Sequence, residues 1–271
     1  MSGAHQWETH IDQALRPLGE NLADEIKPMV WTLFEIIYPD LLGAVEGNPL
    51  EHHPIVLGHM MEIFKEDLFP YASVEAAAAL ALLHDISPVE KITTQMVAAA
   101  RKEDTARGDA LELRRRQNRV LHMREGSSMA HRRLLEMNQR WGGIAFDGET
   151  IDVVCEAIRI HDNPSLNIPI PRANWLSVAF READRLWMIT HEGICADLAR
   201  KKRDISDPDA YRRQLDANID RFREERSLYR PLEPTEGPFC DDQTFFRTRT
   251  GCTICNRLSG EGKKRVAQMT G

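Results

Sequence analysis

Residues 73–85, with the sequence SVEAAAALALLHD, decide how this chain folds. Ser73 is typical of a helix N-cap, and the residues after it up to His84 predict a helix that is apolar on nearly every side. Because such a helix buries its whole circumference, it belongs in the centre of a domain. The sequence SPVE at 87–90 then predicts the start of another helix, from its serine cap, its proline and its glutamate. The central helix is therefore expected to end close to His84 and Asp85.

The rest of the chain predicts further helices and no strand, so the fold class is all-α, a helical bundle. Helices are predicted at 22–45 as one or two, at 54–69, at 110–123, from Ser127 or Ser128 to Gly142, at 151–161, at 174–201 and from the Asp207 cap to about 225. From 229 onward, prolines and glycines without periodicity predict an irregular tail. The expected organisation is an N-terminal helical extension (1–49), a core (50–202), and a C-terminal helix with the irregular tail (203–271).

The bulk composition excludes several classes of protein. The 271 residues are 42% hydrophobic and carry a net charge of −7, so the chain lacks the basic surface that non-specific nucleic-acid binding needs. No apolar run approaches the roughly 20 residues that span a bilayer, and the polar N-terminus is not a signal peptide. The five cysteines do not indicate a disulfide framework, which favours the cytoplasm. The expected partner is a small molecule, with no nucleic acid and no membrane, and a homo-oligomer stays open.

Histidines are the most informative polar residues of the chain. Five of the ten lie on segments predicted to be apolar helices: His59, His84, His131, His161 and His191. One histidine on an apolar face is usually a packing residue, but several in different helices, with Asp85 beside His84, need polar partners that a packed core does not supply. A metal ion satisfies imidazole and carboxylate together, and this donor set suits Fe, Mn, Co, Ni or Zn.

The order of these residues resembles the HD superfamily of metal-dependent phosphohydrolases, whose pattern is H…HD…D on a bundle of helices. The sequence ALLHDIS at 81–87 resembles the central helix of that family, and FREADRL at 180–186 resembles its closing aspartate helix. His131 in SSMAHRRLLEM and His161 in EAIRIHDNPS resemble the subset of HD proteins that binds two metals. The resemblance covers roughly residues 50–190.

The resemblance implies a set of ligands for two divalent transition-metal ions. The implied ligands are His59, His84, Asp85 and Asp184 for one metal, with Asp85 bridging to a second metal that His131 and His161 complete. His53 is an alternative to His59. The chain departs from the family at Ser87-Pro88, where a glycine and a lysine are common.

Groups that flank these ligands are candidates for contact with substrate. Lys91 is the nearest lysine after the HD pair, and Arg124, Arg159, Arg181 and Arg185 can either grip a phosphate or form surface ion pairs. Lys91, Arg159 and Arg185 are the predicted substrate-binding residues. Asp162 is the predicted proton acceptor and, with Asp85, a predicted catalytic residue.

The resemblance implies hydrolysis of a small phosphorylated substrate, such as a nucleotide, by a metal-activated hydroxide. The same six ligands also resemble the mixed-valent di-iron oxygenases of the superfamily, such as myo-inositol oxygenase and the phosphonate-oxidising enzymes. A non-catalytic metal-binding module is the third alternative. In the tail, Cys252 and Cys255 have CxxC spacing with Cys240 upstream, which allows a structural zinc or none. The metal ligands all precede the tail, so the tail is expected to be dispensable for metal binding.

Overall fold

The computed structural model describes residues 7–43, 49–68, 72–90, 92, 94–142, 145–169, 175–228, 240 and 243–270. The helices are α1 (Glu8–Leu15), α2 (Glu20–Gly43), α3 (Pro49–Ile63), α4 (Val74–Leu83), α5 (Thr94–Glu103), α6 (Thr105–Trp141), α7 (Gly148–Ile160), α8 (Trp175–Trp187), α9 (His191–Arg200), α10 (Pro208–Glu225) and α11 (Arg249–Thr270). Helices make up 83% of the structure and the described residues contain no strand, which confirms the all-α prediction. None of the described helices is long and apolar enough to cross a membrane.

Helix α4 lies at the centre of the bundle, as its sequence predicts. The Ser73 side chain accepts a hydrogen bond from the backbone N–H of Ala76, and every residue of the helix except Glu75 is buried. Helices α2, α3, α7 and α8 pack around it. The helix ends at Leu83, so His84 and Asp85 follow its last turn in the interior of the protein, as expected.

Helix α6 runs unbroken over 37 residues, about 55 Å, where two helices were predicted. The prediction of a new helix at Ser127 or Ser128 was wrong because neither serine caps a helix. Ser127 Oγ instead donates to the carbonyl oxygen of Cys155 on α7, at 2.9 Å, and Ser128 Oγ donates within α6 to Arg124, at 3.1 Å. Both hydroxyls thus donate to carbonyl oxygens and neither accepts from a backbone N–H as an N-cap would, so α6 continues through them.

Two other predicted boundaries were also wrong. Residues 86–90 are not helical, and the buried Ser87 side chain accepts a long hydrogen bond, 3.4 Å, from the Val89 N–H. The predicted helix 174–201 is interrupted after Trp187, because Thr190 caps a separate helix by accepting from the N–H of Gly193. His191 therefore begins a new helix and does not continue the face that carries Asp184.

The predicted irregular tail contains a long helix, α11, which packs against α3, α8 and α10. Glycines lower helix propensity, so the sequence argued against a helix here. Tertiary contacts explain two of the three glycines of α11: a Cβ on Gly251 would collide with Glu182 Oε2, and one on Gly262 would lie 2.8 Å from Leu215 Cδ2. Residues 229–239, which carry the three prolines of the predicted tail, lie outside the described residues.

Candidate metal centre

The loop after α4 directs His84 into the interior. His84 Nδ1 lies 2.9 Å from the carbonyl oxygen of Ala81, one turn earlier. A carbonyl oxygen only accepts hydrogen bonds, so Nδ1 carries the ring proton and Nε2 keeps its lone pair. A metal-binding histidine is typically held in this way, through its second ring nitrogen. His161 repeats the arrangement at the end of α7, where its Nδ1 lies 2.6 Å from the carbonyl oxygen of Ile158.

The first group of candidate ligands consists of His52, His84 and Asp85, whose ligand atoms all lie within 4.8 Å of one another. The Nε2 atoms of His52 and His84 are 2.8 Å apart. Asp184 Oδ1 lies at the edge of this group, 3.6 Å from His52 Nε2 and 3.7 Å from His84 Nε2. The Trp187 ring packs edge-on against His52, with 5.1 Å between ring centroids.

The second group consists of Asp85, His122 and His161. Asp85 Oδ1 lies 2.9 Å from His122 Nε2 and 3.6 Å from His161 Nε2. His122 comes from the middle of α6 and His161 from the end of α7. Asp85 belongs to both groups, so one carboxylate joins the two sets of imidazoles.

These separations fit ligands that share a metal ion. Two metal–nitrogen bonds of about 2.0–2.1 Å at a right angle place their nitrogens about 2.9 Å apart, and bonds at wider angles place them up to about 4 Å apart. The 2.8 Å between the Nε2 atoms of His52 and His84 matches bonds at a right angle. The distances of 2.9 and 3.6 Å from Asp85 Oδ1 to His122 and His161 match a right angle and a wider angle. The donors are nitrogen and carboxylate oxygen, which suits transition metals.

Burial and nearby carboxylates act differently on the two anchored histidines. Burial lowers the pKa of His84 below its usual value, and Asp85 and Asp184 only partly oppose it. Burial acts in the same direction on His161, but Asp162 and Asp85 outweigh it and the pKa of His161 is raised. The Phe180 ring packs against both imidazoles, with ring centroids 5.1 Å from His84 and 6.2 Å from His161.

Asp162 follows His161 and belongs to an ion-pair network rather than to the ligand groups. Its Oδ2 pairs with Arg119 and lies 3.7 Å from His161 Nε2. Burial would raise its pKa, but Arg119, His161 and the arginines of α8 hold it well below the usual range. A carboxylate with so low a pKa is a weak base. The predicted role of proton acceptor is therefore not supported by its surroundings.

The structure brings together four of the six predicted ligands, which are His84, Asp85, His161 and, at the edge, Asp184. It does not bring His59 to either group. His52 and His59 share one face of α3, but seven residues separate them by about 10 Å along the axis. His59 is buried near Arg257, and its Nε2 finds no hydrogen-bond partner among the described residues. His52 occupies the position that the resemblance implied for His59.

His131 is exposed, and His122 lies in the centre in its place. Nine residues at about 100° each set the two histidines on opposite sides of α6. His122 shares the inward face with Arg115 and Gly126. His122 was not predicted: it lies in the predicted helix 110–123, which is charged and carries three arginines in a row, and Gly126 of the same inward face lies beyond the end of that predicted helix.

The predicted substrate-binding residues have different positions. Arg159 is exposed and pairs with Glu156 on its own helix, and Arg124 is exposed beside Glu125. Arg185 is buried among Asp184 and Glu225. Lys91 lies outside the described residues.

The remaining candidates are not members of either ligand group. His53 is buried and packs against the first group, with ring centroids 4.8 Å from His84 and 5.4 Å from His52, and its Nδ1 lies 3.4 Å from the Ala81 carbonyl oxygen. His191 Nδ1 lies 3.4 Å from the Tyr211 hydroxyl. Within the described part of the chain, no group of three possible metal ligands includes a cysteine. The zinc site considered for the tail therefore has no geometric support there.

No protein-family model, curated protein or solved structure matches this chain. The fold and the site define an all-helical protein with two adjoining His/Asp groups that could hold metal ions. Any narrower assignment depends on the geometry of these two groups.

The two histidines of α6 provide a matched test of the second group. We expect His122→Ala to bind about one transition-metal ion per chain fewer than the wild type, since it removes one of three candidate ligands. We expect His131→Ala, on the opposite side of the same helix, to bind as much metal as the wild type. Metal content after equilibrium dialysis, with helicity from circular dichroism, measures the difference. Equal metal content in the two variants would contradict the second group.

Burial of His59 is expected to make the stability of the fold sensitive to acid, independently of any bound metal. Burial, reinforced by Arg257, lowers its pKa from 6.5 to about 4. Between pH 6.5 and 4 the His59 imidazole is protonated in the unfolded chain but stays neutral in the folded protein. The free energy of unfolding therefore decreases as the pH falls from about 6.5 toward 4, by up to about 3 kcal/mol. In metal-free protein, His59→Leu should flatten this loss in urea titrations, whereas the exposed His131→Leu should not. A wild-type slope retained in His59→Leu would contradict the assignment.

Proposed function

We propose that this protein is a metal-dependent phosphohydrolase of the HD type, which uses two divalent transition-metal ions and acts on a small phosphorylated substrate. The observation that carries the proposal is the pair of ligand groups that share Asp85. A carboxylate shared by two sets of imidazoles supports two neighbouring cations, and two cations a few ångströms apart suit the attack of water on phosphorus.

The chain's own residues would hold the two ions in different ways. His52, His84 and Asp184 would hold the first, His122 and His161 the second, and Asp85 both. When bound, the ions would lower the pKa of water and neutralise charge on the phosphoryl oxygens. The backbone carbonyls of Ala81 and Ile158 fix the rings of His84 and His161, so the lone pairs already face the centre.

Guanidinium groups around the centre support an anionic substrate. Four of them, those of Arg119, Arg181, Arg185 and Arg221, lie among four carboxylates, those of Asp85, Asp162, Asp184 and Glu225. These charges balance before any metal is counted, so bound divalent ions would leave the centre positive. Arg119 and Arg221 have side chains that are 22% and 40% exposed, so both can contact solvent and an incoming phosphate.

Asp162 contributes by orientation in this proposal. Its two oxygens accept from Arg119 and from the Ser165 hydroxyl, and it lies close to His161. The negative charge beside the imidazole and the carbonyl of Ile158 together hold the His161 ring in one orientation. Proton transfer would then involve solvent near Asp85, whose side chain is 18% exposed.

A second function is favoured by one specific observation. Four of the six donors are imidazole nitrogens, a set that suits iron as well as zinc or nickel. A di-iron oxygenase that oxidises a small molecule would use the same ligands. The positive charge that bound ions would bring fits either class, provided that the substrate is an anion.

The decisive experiment measures reaction and metal together. Protein purified without oxygen is loaded separately with Mn²⁺, Co²⁺, Zn²⁺ or Fe²⁺ and incubated with nucleotides and simple phosphomonoesters. We expect phosphate release that depends on metal and is lost in His84→Ala. If two ions bind and no phosphate ester is cleaved, the hydrolase proposal fails. Oxygen consumption together with an Fe(II)/Fe(III) signal in electron paramagnetic resonance would then favour the oxygenase.

A further inference from the structure

The two oxygens of Asp184 have opposite surroundings. Oδ1 faces the imidazoles of His52 and His84. Oδ2 faces two guanidinium groups, with Arg181 Nη1 at 3.6 Å and Arg185 Nη1 at 3.4 Å. The carboxylate is thus oriented with one oxygen toward the first ligand group and the other toward buried positive charge.

The two arginines are themselves held from the far side by Glu225, the last residue of α10. Glu225 is 4% exposed, and its Oε2 accepts from Arg181 Nη2 at 3.1 Å and from Arg185 Nε at 2.9 Å. Its Oε1 accepts from Arg185 Nε at 3.2 Å and from Arg221 Nε at 3.1 Å. Each of the α8 arginines therefore bridges Glu225 and Asp184.

Electrostatics explains why this bridge orients Asp184. Arg181 and Arg185 are 1% and 6% exposed, so water cannot neutralise them and a buried guanidinium seeks carboxylate oxygens. With Glu225 in place, each guanidinium divides its N–H groups between two carboxylates and leaves Asp184 Oδ1 to the imidazoles. Without it, both arginines would turn toward the nearest remaining carboxylate, which is Asp184.

We propose that Glu225 is a positioning residue for the first ligand group: through Arg181 and Arg185 it directs Asp184 Oδ1 toward the ion held by His52 and His84. This inference rests on the proposed metal centre. It extends the site to α10, beyond the 50–202 core that the sequence predicted. The second ligand group depends less on Glu225, since Arg181 reaches it through the backbone carbonyl of His161 and, at 3.9 Å, through Asp162, while the ring itself is anchored to Ile158.

The test compares two buried glutamates changed to glutamine. Glu225→Gln removes the charge between the arginines, whereas Glu182→Gln changes a carboxyl on α8 that bonds to Arg247 and Thr248 of the C-terminal segment. Competition with a chelator gives the affinities of both ions, with Co²⁺ as the probe and its absorption as the signature of coordination. We expect Glu225→Gln to lower the affinity for one Co²⁺ ion by about 10- to 100-fold and the affinity for the other by no more than a few-fold. We expect both affinities and the Co²⁺ spectrum of Glu182→Gln to match the wild type.

Unchanged affinities in folded Glu225→Gln, or equal weakening of both ions, would overturn the inference. If Glu225→Gln does not fold, Arg185→Lys takes its place, because lysine keeps the charge but cannot bridge both carboxylates. A folded Arg185→Lys with wild-type affinity for both ions would overturn it equally. Failure of the metal centre gives a different result, since the wild-type protein itself would then bind no Co²⁺.

Discussion

Asp85→Ala is expected to lose both metal ions and all metal-dependent activity. Among the described residues, Asp85 is the one member common to the two ligand groups, so its removal leaves two imidazoles in each, with Asp184 beside the first, and no carboxylate between the ions. Repulsion between two dications is then unscreened, and affinity should fall by more than the roughly 100-fold typical of losing a residue that only supports a ligand. His161→Ala should differ, because it removes a ligand of the second group alone and should leave about one ion per chain.

Metal content and helicity of both variants decide this prediction. The exposed Asp152→Ala, on α7, provides the control for loss of a carboxylate and should keep both ions. The fold is expected to survive Asp85→Ala, since packing of α4 against its neighbours does not depend on Asp85. Full metal occupancy in Asp85→Ala would refute the shared carboxylate, and with it the proposed function.

Removal of residues 229–271 is expected to unfold the protein or leave it close to unfolding. The tail contributes Phe245 and Phe246, both 0% exposed, which pack edge-on against Phe222 of α10. Loss of one buried phenylalanine side chain typically costs about 3–5 kcal/mol, and a whole domain is stable by only about 5–15 kcal/mol. This expectation replaces the earlier one, that the tail is dispensable for metal binding, because an unfolded chain keeps no metal site.

Thermal unfolding of the metal-free proteins measures this effect without interference from ligand binding. Removal of 267–271 alone, at the mainly exposed end of α11, is the matched control and should change the melting temperature little. Phe246→Ala in the full chain should fall between the two. A truncated 1–228 protein that melts cooperatively at the wild-type temperature would show that the tail is not part of the core.

The tail also illustrates a limit of local sequence patterns. Glu182 on α8 is buried, and burial raises its pKa to about 8 although the backbone N–H groups of Arg247 and Thr248 lower it by donating hydrogen bonds. These contacts join residues more than 60 positions apart. Gly251 and Gly262, which reduce the helix propensity of α11, let the helix approach Glu182 and Leu215. Their lack of a side chain is favourable only when α11 is packed against α8 and α10.

Local patterns by themselves determined the all-α class, the central helix α4 with its Ser73 cap, and the end of that helix at His84-Asp85. Each depends on neighbours within one or two turns: apolar residues on every side, a hydroxyl before the first turn, and polar side chains where the helix stops. His161 ends α7 as His84 ends α4, so its neighbours within one or two turns were also enough to predict it as a candidate ligand.

Tertiary structure alone decided which other histidines meet at Asp85. His52 and His59 share a face of α3 and differ only in height along its axis, so the sequence cannot rank them until the end of α4 is placed beside one of them. His122 and His131 lie on opposite sides of α6, and the packing of α6 against α7 determines which side faces inward. Glu225 enters through α10, far along the chain. Contacts between residues far apart in the sequence cannot be predicted from local patterns, because which side chains are buried together depends on how the helices pack.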